Sequence, residues 1–194
     1  MINHYASKII GLGKYLPDNR VTNDDLSELM DTSNDWIVER TGIEERRFIP
    51  KHSSEGTASM GVRAAKQAIE RAGIYKDDID LIVFATLSPD YYFPGSGVLV
   101  QDLMGIGTCP ALDVRNQCSG FIYALSVADQ YIRTGMYKNI IVIGSEHHSG
   151  GLDLTTRGRN VSVIFGDGAG AAVVSRHDNL DEGILSTHLH SEGK

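Results

Sequence analysis

The run from Ile79 to Ala85, in "DIDLIVFAT", restricts this chain more than any other feature. It is β-prone and almost unbroken in its apolar character. A strand with one face in water alternates apolar and polar residues, whereas a continuous run suits a strand covered on both faces. "NIIVIGSE" repeats the pattern, and "PALDV" is a shorter version of it. Helical spacing fills the gaps. In "GVRAAKQAIERAG", Val62, Ala65, Ile69 and Ala72 recur at helical intervals, and Gly73 supplies a C-terminal stop. "GVLVQDLMG" reads as a second helix and "CSGFIYALSVADQYIRTG" as a third. Helices alternating with apolar strands predict an α/β fold, a sheet with helices packed on both faces.

The flanking segments add detail. "SKIIGLGKYLP" reads as a strand and a turn before Pro17. In "TNDDLSELM", Thr22 is an N-cap with acids in the first turn. "TSNDWIVERTGI" is a second capped helical turn ending at Gly42, and "EERRF" a charged loop or edge segment. "VSVIFGDGAGAAVVS" predicts two strands broken by glycines, and "GILSTHLH" a last strand. The glycines of "FGDGAGAAVV" are not followed by Lys-Ser/Thr and lead into a strand. They read as a tight bend for close backbone packing, not as a phosphate loop. From Phe121 to Ile132 the third helix is apolar almost all round, the mark of a central buried helix.

Composition excludes several classes. The chain has 194 residues, a formal charge of −7 and 41% hydrophobic residues, the balance of a globular protein. Mild acidity argues against nucleic acid as a partner. No run of about 18 apolar residues is present, so no membrane span is expected. "MINHYASKII" lacks a signal-peptide core, which makes a cytoplasmic address the expectation. Cys109 and Cys118 form no CxxC and match neither a zinc nor a thioredoxin pattern. His147, His148, His188 and His190 read as solvated loop or strand-end residues, and no metal is expected.

"NQCSGFIYA" holds the candidate chemistry. Cys118 lies where the strand Ala111–Val114 turns into the third helix. A helix N-terminus carries free N–H groups and partial positive charge, which favour a thiolate. Ser119 and Gly120 are small and leave room for a substrate. The N–H of Cys118 is a candidate oxyanion donor. Cysteine is also among the most buried residue types, so on local pattern alone both a packed thiol and a nucleophile stand. Cys109, in "GIGTCPAL", lacks such surroundings and reads as packing. A redox pair of Cys118 with Cys109 is disfavoured, because the two ends of one strand hold them too far apart.

With "DVRNQCSGFIYAL" in view, the chain resembles the β-ketoacyl-acyl-carrier-protein synthase III family of the thiolase superfamily. "GLGKYLPDNRVTNDDL", "TSNDWIVERTGIEERR", "AIERAGI", "DIDLIVFAT", "FPGSG", "ALSVADQYI", "GSE" and "RGRNVSVIFGDGAGAAVV" follow the family's order and spacing. The resemblance implies a thiolase-like half with a mixed β-sheet, helices on both faces and a central buried helix, and an initiating condensing enzyme of fatty-acid synthesis. Cys118 would accept an acyl group from acyl-coenzyme A and pass it to malonyl-acyl-carrier protein. It further implies that Trp36, Arg40 and Arg157 contact coenzyme A, with Arg159 close enough to substitute for Arg157. Phe93 would cross a homodimer interface and shape the partner's acyl pocket. Coenzyme A is substrate, and no other cofactor is implied. Acyl-carrier protein is the expected macromolecular partner, with Arg40, Arg46 and Arg47 as nearby basic residues. Other readings in view are a relative making a specialised metabolite and a non-catalytic subunit of the same fold.

The resemblance covers only the family's first half. Residues 1–175 correspond to the N-terminal thiolase-like domain and 176–194 to the start of a connection. The family's histidine and asparagine, which hold the malonyl thioester and its enolate, belong to the second half. A truncated product is the favoured explanation. This chain alone is expected not to decarboxylate malonyl-acyl-carrier protein.

Overall fold

The computed structural model describes residues 5–193. Its elements are β1 (Ala6–Tyr15), β2 (Arg20–Thr22), α1 (Asn23–Ser27), α2 (Asn34–Thr41), β3 (Glu45–Arg47), α3 (Thr57–Ala72), β4 (Leu81–Ala85), α4 (Ser96–Met104), β5 (Ala111–Val114), α5 (Gly120–Arg133), β6 (Asn139–Glu146), α6 (Arg159–Ser162) and β7 (Gly168–His177), with short 3-10 turns between some of them. Five strands form one sheet in the order β1-β7-β6-β4-β5, and β2 pairs with β3 in a small ribbon. β6, β4 and β5 run parallel, whereas β7 is antiparallel to both β6 and β1. The α/β sheet expected from the apolar runs is therefore present, with the mixed strand directions that the resemblance implies.

The unbroken runs occupy the covered strands. Every residue of β4 is buried, as are the first five of β6. α3 and α4 cover one face, packing Met60, Ala64, Ala68 and Val100 onto Phe84, Ile141 and Val173. α3 lies so close to β1 that a Cβ at Gly13 would collide with the Ala64 carbonyl oxygen, and one at Gly11 with that of Ala68. Only glycine admits that approach. α5 covers the opposite face, setting Ala124, Ala128 and Ile132 against Leu81, Val83 and Val142. A third cluster, Leu26, Met30, Ile37, Phe48 and Val163, joins α1, α2 and the end of α6, with Trp36, Leu152 and Leu154 at its margin.

Three expectations change. α5 is apolar nearly all round, yet within this chain it buries only the stripe Gly120, Ala124, Ala128, Asp129 and Ile132, and Ile122 stays 52% exposed. α5 is the one long helix on its face, so its outer side meets no second layer here. Residues 161–165 form no strand. Ser162 closes α6 by donating to the Asp153 carbonyl at 2.7 Å, Val163 drops into the third cluster, and β7 starts only at Gly168. "GILSTHLH" also forms no strand. It touches the free edge of β1 through the Ile184 N–H to the Ser7 carbonyl, and Arg133 donates to the Ile184 carbonyl. One backbone bond does not make a ladder. No described helix is long and apolar enough to cross a membrane.

Candidate active site

β4, β5 and β6 are parallel, so their carboxyl ends share one edge of the sheet. Ligands of open α/β sheets bind outside that edge. The chain leaves it through three loops, and each carries a residue singled out by sequence.

Cys118 lies in the loop after β5, within a 3-10 turn over Gln117–Ser119 that leads into α5. The thiol is free and exposed. Gln117, directly before it, has φ +40°, the left-handed region that suits glycine. Such a conformation costs about 1 kcal/mol or more and persists where surrounding structure enforces it. The enforcement is local. Asn116 Nδ2 donates to Ser119 Oγ at 3.1 Å, and Ser119 Oγ donates back to the Asn116 carbonyl at 3.1 Å. Gly120 then seats the start of α5 on β4, where a Cβ would lie 3.4 Å from that of Ala85. The result is a thiol on a sharp, strained strand-to-helix turn, a geometry that exposes a nucleophile. A cleft of about 140 Å³ between Thr86, Tyr91, Tyr92 and Arg115 opens beside this turn.

Phe93 lies in the loop after β4 and is 92% exposed. Two carboxylates hold that loop. Glu146, at the end of β6, accepts from the N–H groups of Leu87 and Ser88 and from both their neighbouring hydroxyls, Thr86 Oγ1 and Ser88 Oγ. Asp113 accepts from the N–H groups of Ser96 and Gly97 at the start of α4. Tyr91, Tyr92 and Phe93 project between those anchors as an exposed aromatic trio.

Trp36 lies on α2 beneath two guanidinium groups. Arg40 approaches its ring to 4.5 Å and Arg159 to 4.8 Å. Arg40 also donates to the Trp36 carbonyl at 3.2 Å. Arg159 reaches across to Asp31 and donates to its carbonyl. Arg157 is instead 89% exposed and paired with Asp153 at 2.7 Å. Hydrogen bonds from Thr155, then from Arg157, hold the Asp153 carboxyl down to about 2. The structure thus brings Trp36, Arg40 and Arg159 together, and gives Arg157 an acid partner one turn away.

Several residues stand apart. Cys109 is half-buried against the core under α3 and α4; burial, with the Asp80 carboxylate second, pushes its thiol up. His147 lines a larger cleft of about 590 Å³ with Lys51, His52 and Leu152. His148 packs edge-on against Phe165 at 4.7 Å, and His188 pairs with Ser186. Among the described residues no three His, Cys, Asp or Glu cluster as metal ligands would. Arg46 cannot belong to a basic docking patch, because it is only 7% exposed. Sequence reasoning missed the loop anchors Glu146 and Asp113 and the strain at Gln117. No local pattern marks an acid whose partners lie 16 to 60 residues away.

Comparisons with known proteins show what the chain is similar to. The family model for 3-oxoacyl-[acyl-carrier-protein] synthase III matches residues 112–193. A beta-ketoacyl-[acyl-carrier-protein] synthase III of Vibrio vulnificus (strain YJ016) is 52% identical over 188 residues, covering 97% of this chain and 58% of the relative. One of Escherichia coli O9:H4 (strain HS) is 50% identical over 187 residues, covering 96% and 57%. The solved 3-oxoacyl-[acyl-carrier-protein] synthase III of Aquifex aeolicus VF5 superposes with a TM-score of 0.85 at 45% identity, covering 90% of this chain and 55% of that one. The priming beta-ketosynthase of the R1128 polyketide pathway superposes at 0.86 with 33% identity, covering 92% and 52%. The chain spans a little over half the length of the curated relatives it matches.

Proposed function

Because this chain belongs to the β-ketoacyl-[acyl-carrier-protein] synthase III family, we propose that it is the nucleophile-bearing part of an initiating condensing enzyme. The observation that carries the reading is the exposed Cys118 thiol on its strained turn at the head of α5. The thiolate attacks the carbonyl of acyl-coenzyme A. The C–S bond to coenzyme A breaks, coenzyme A leaves as its thiolate, and the acyl group stays on Cys118. A thiolate suits both halves of the chemistry, since it is a strong nucleophile and a fair leaving group. In the second half-reaction malonyl-acyl-carrier protein loses carbon dioxide. Its carbanion attacks the Cys118 thioester, and the sulfur leaves with the electron pair. The product is a 3-oxoacyl-acyl-carrier protein. Donors for the enolate, a histidine and an asparagine by family resemblance, come from outside these residues.

Trp36, Arg40 and Arg159 offer a stacking face and cations for the nucleotide end of coenzyme A. Arg157 is the alternative second guanidinium. A homodimer is part of the same reading. Among the described residues β5 is an edge strand with one side unpaired, and Phe93 is exposed in the loop after β4. Likeness to a polyketide-priming ketosynthase favours a second reading, in which the same cysteine starts a specialised product.

Incubation with acyl-coenzyme A of graded chain length, followed by peptide mass spectrometry, tests the proposal. An acyl adduct on Cys118, and protection of that thiol from iodoacetamide, are expected. Equal alkylation with and without acyl-coenzyme A would overturn it. The preferred chain length separates the two readings.

A further inference from the structure

Among the described residues, Arg46 is a buried cation with no acid to pair with. Its guanidinium donates only to neutral oxygens: the Val21 carbonyl at 3.4 Å, Asn23 Oδ1 at 2.8 Å and the Val163 carbonyl at 3.1 Å. Its Nε has no hydrogen-bond partner. Burial pulls the pKa of this side chain down, as desolvation of a lone cation must. An arrangement that costs solvation without an ion pair is a poor device for stability alone.

The geometry shows what it connects. Asn23 is itself buried, and its Nδ2 donates to Asn34 Oδ1 at 3.0 Å and to the Ile43 carbonyl at 2.7 Å. Asn34 is the first residue of α2, and Ile43 lies just past its end. One amide therefore grips both ends of the helix that presents Trp36 and Arg40, and Arg46 sets that amide's orientation by bonding its oxygen. The same Nη2 bonds the Val163 carbonyl, at the C-terminal end of the turn that presents Arg159. Arg159 closes the circuit from the other side by stacking on Trp36.

We infer that Arg46 is a positioning residue that sets the separation between α2 and α6, and so the seating of Arg159 over the Trp36 ring. This rests on the reading of Trp36, Arg40 and Arg159 as the nucleotide-binding surface. A planar fork with donors on two nitrogens fits three oxygens at fixed angles, and a lysine ammonium does not replace it. The purine of a nucleotide thioester can stack on Trp36 only if the Arg159 side is held at the right distance.

Trp36 is the only tryptophan, so its fluorescence reports on this surface alone. Titration of the chain with coenzyme A and, separately, with adenosine 3′,5′-bisphosphate tests the inference. Arg46→Lys is expected to weaken both by about tenfold, the scale of a small misplacement of binding groups. The half-buried Cys109 should stay as slow to alkylate with iodoacetamide as in the wild-type chain, which a general loss of structure would not allow. Asn34→Ala, which cuts the relay at an exposed position, should weaken both ligands by about threefold, the worth of one hydrogen bond. Unchanged binding in Arg46→Lys overturns the inference. If Arg46→Lys loses its fold, Asn34→Ala decides, and normal binding there overturns it. A wild-type chain whose Trp36 responds to neither ligand defeats the nucleotide reading itself, and the inference falls with it.

Discussion

A cysteine precedes β5 and another follows it, and the two meet opposite surroundings. At the N-terminal end, Cys109 packs against the core that α3 and α4 close over the sheet, and its thiol is pushed up. At the C-terminal end, Cys118 stands exposed on a turn that ends in a helix N-terminus. Four strand residues separate a protected thiol from a presented one. The difference follows from strand direction. The carboxyl ends of parallel strands must release the chain into loops that lead to helices, and helix N-termini bring unpaired N–H groups there. The amino ends are entered from helix C-termini and can be sealed by side-chain packing. Residue type did not distinguish the two cysteines; the end of the strand did.

Removing each thiol should break that symmetry most sharply. Cys118→Ala is expected to abolish transfer from acyl-coenzyme A to the protein, a loss on the order of 10⁴-fold or more. Cys109→Ala should leave the transfer within about twofold, since that position lies outside the chemistry. Intact-mass kinetics measure both.

A smaller effect should appear in alkylation of the unmodified chain. At pH 8, iodoacetamide is expected to label Cys118 at least about tenfold faster than Cys109, because the thiolate reacts and burial raises the Cys109 thiol. The sign follows for stability. A folded-state thiol raised above its unfolded value near 8.5 stabilises the fold fully below that pH, and the contribution is lost as pH rises through the raised value. Labelling of Cys109 should therefore begin only on the alkaline side, seen by peptide mass spectrometry across a pH series.

The smallest expected effect concerns the turn itself. Gln117→Gly should relieve the strain at φ +40° and raise stability by about 0.5–1 kcal/mol, read from denaturant unfolding. A turn that then presents Cys118 less rigidly should acylate more slowly, by about twofold.

Much of the scaffold was legible. The apolar runs at β4 and β6 and the helical spacing of α3 are local signals with strong physical causes. So is the cap at Thr22, where the structure shows the full capping box with Asp25. The failures were also physical. Residues 161–165 have strand composition, yet Val163 is drawn into a cluster with Leu26 and Ile37, more than a hundred residues earlier. Asp129 reads as a polar interruption of α5, yet it is buried and bonded to Ser7 and Arg133. At the candidate site, Cys118 was singled out by its motif and Trp36 by family resemblance. The stacking of Arg159 on Trp36 and the pairing of Arg157 with Asp153 were not readable, because two nearby arginines look alike until acids and rings are placed around them.

By itself, then, the sequence determined the elements and the chemical character of the chain: which runs are covered on both faces, where helices begin, and that Cys118 heads one of them. Periodicity and capping act over a few residues, so a linear string records them. Tertiary structure alone decided which guanidinium faces Trp36, which carboxylates tether the loop of Phe93, and that Arg46 is interior rather than surface. Those outcomes depend on contacts between residues far apart in the chain, where burial and hydrogen bonding choose among side chains that the string lists as equals.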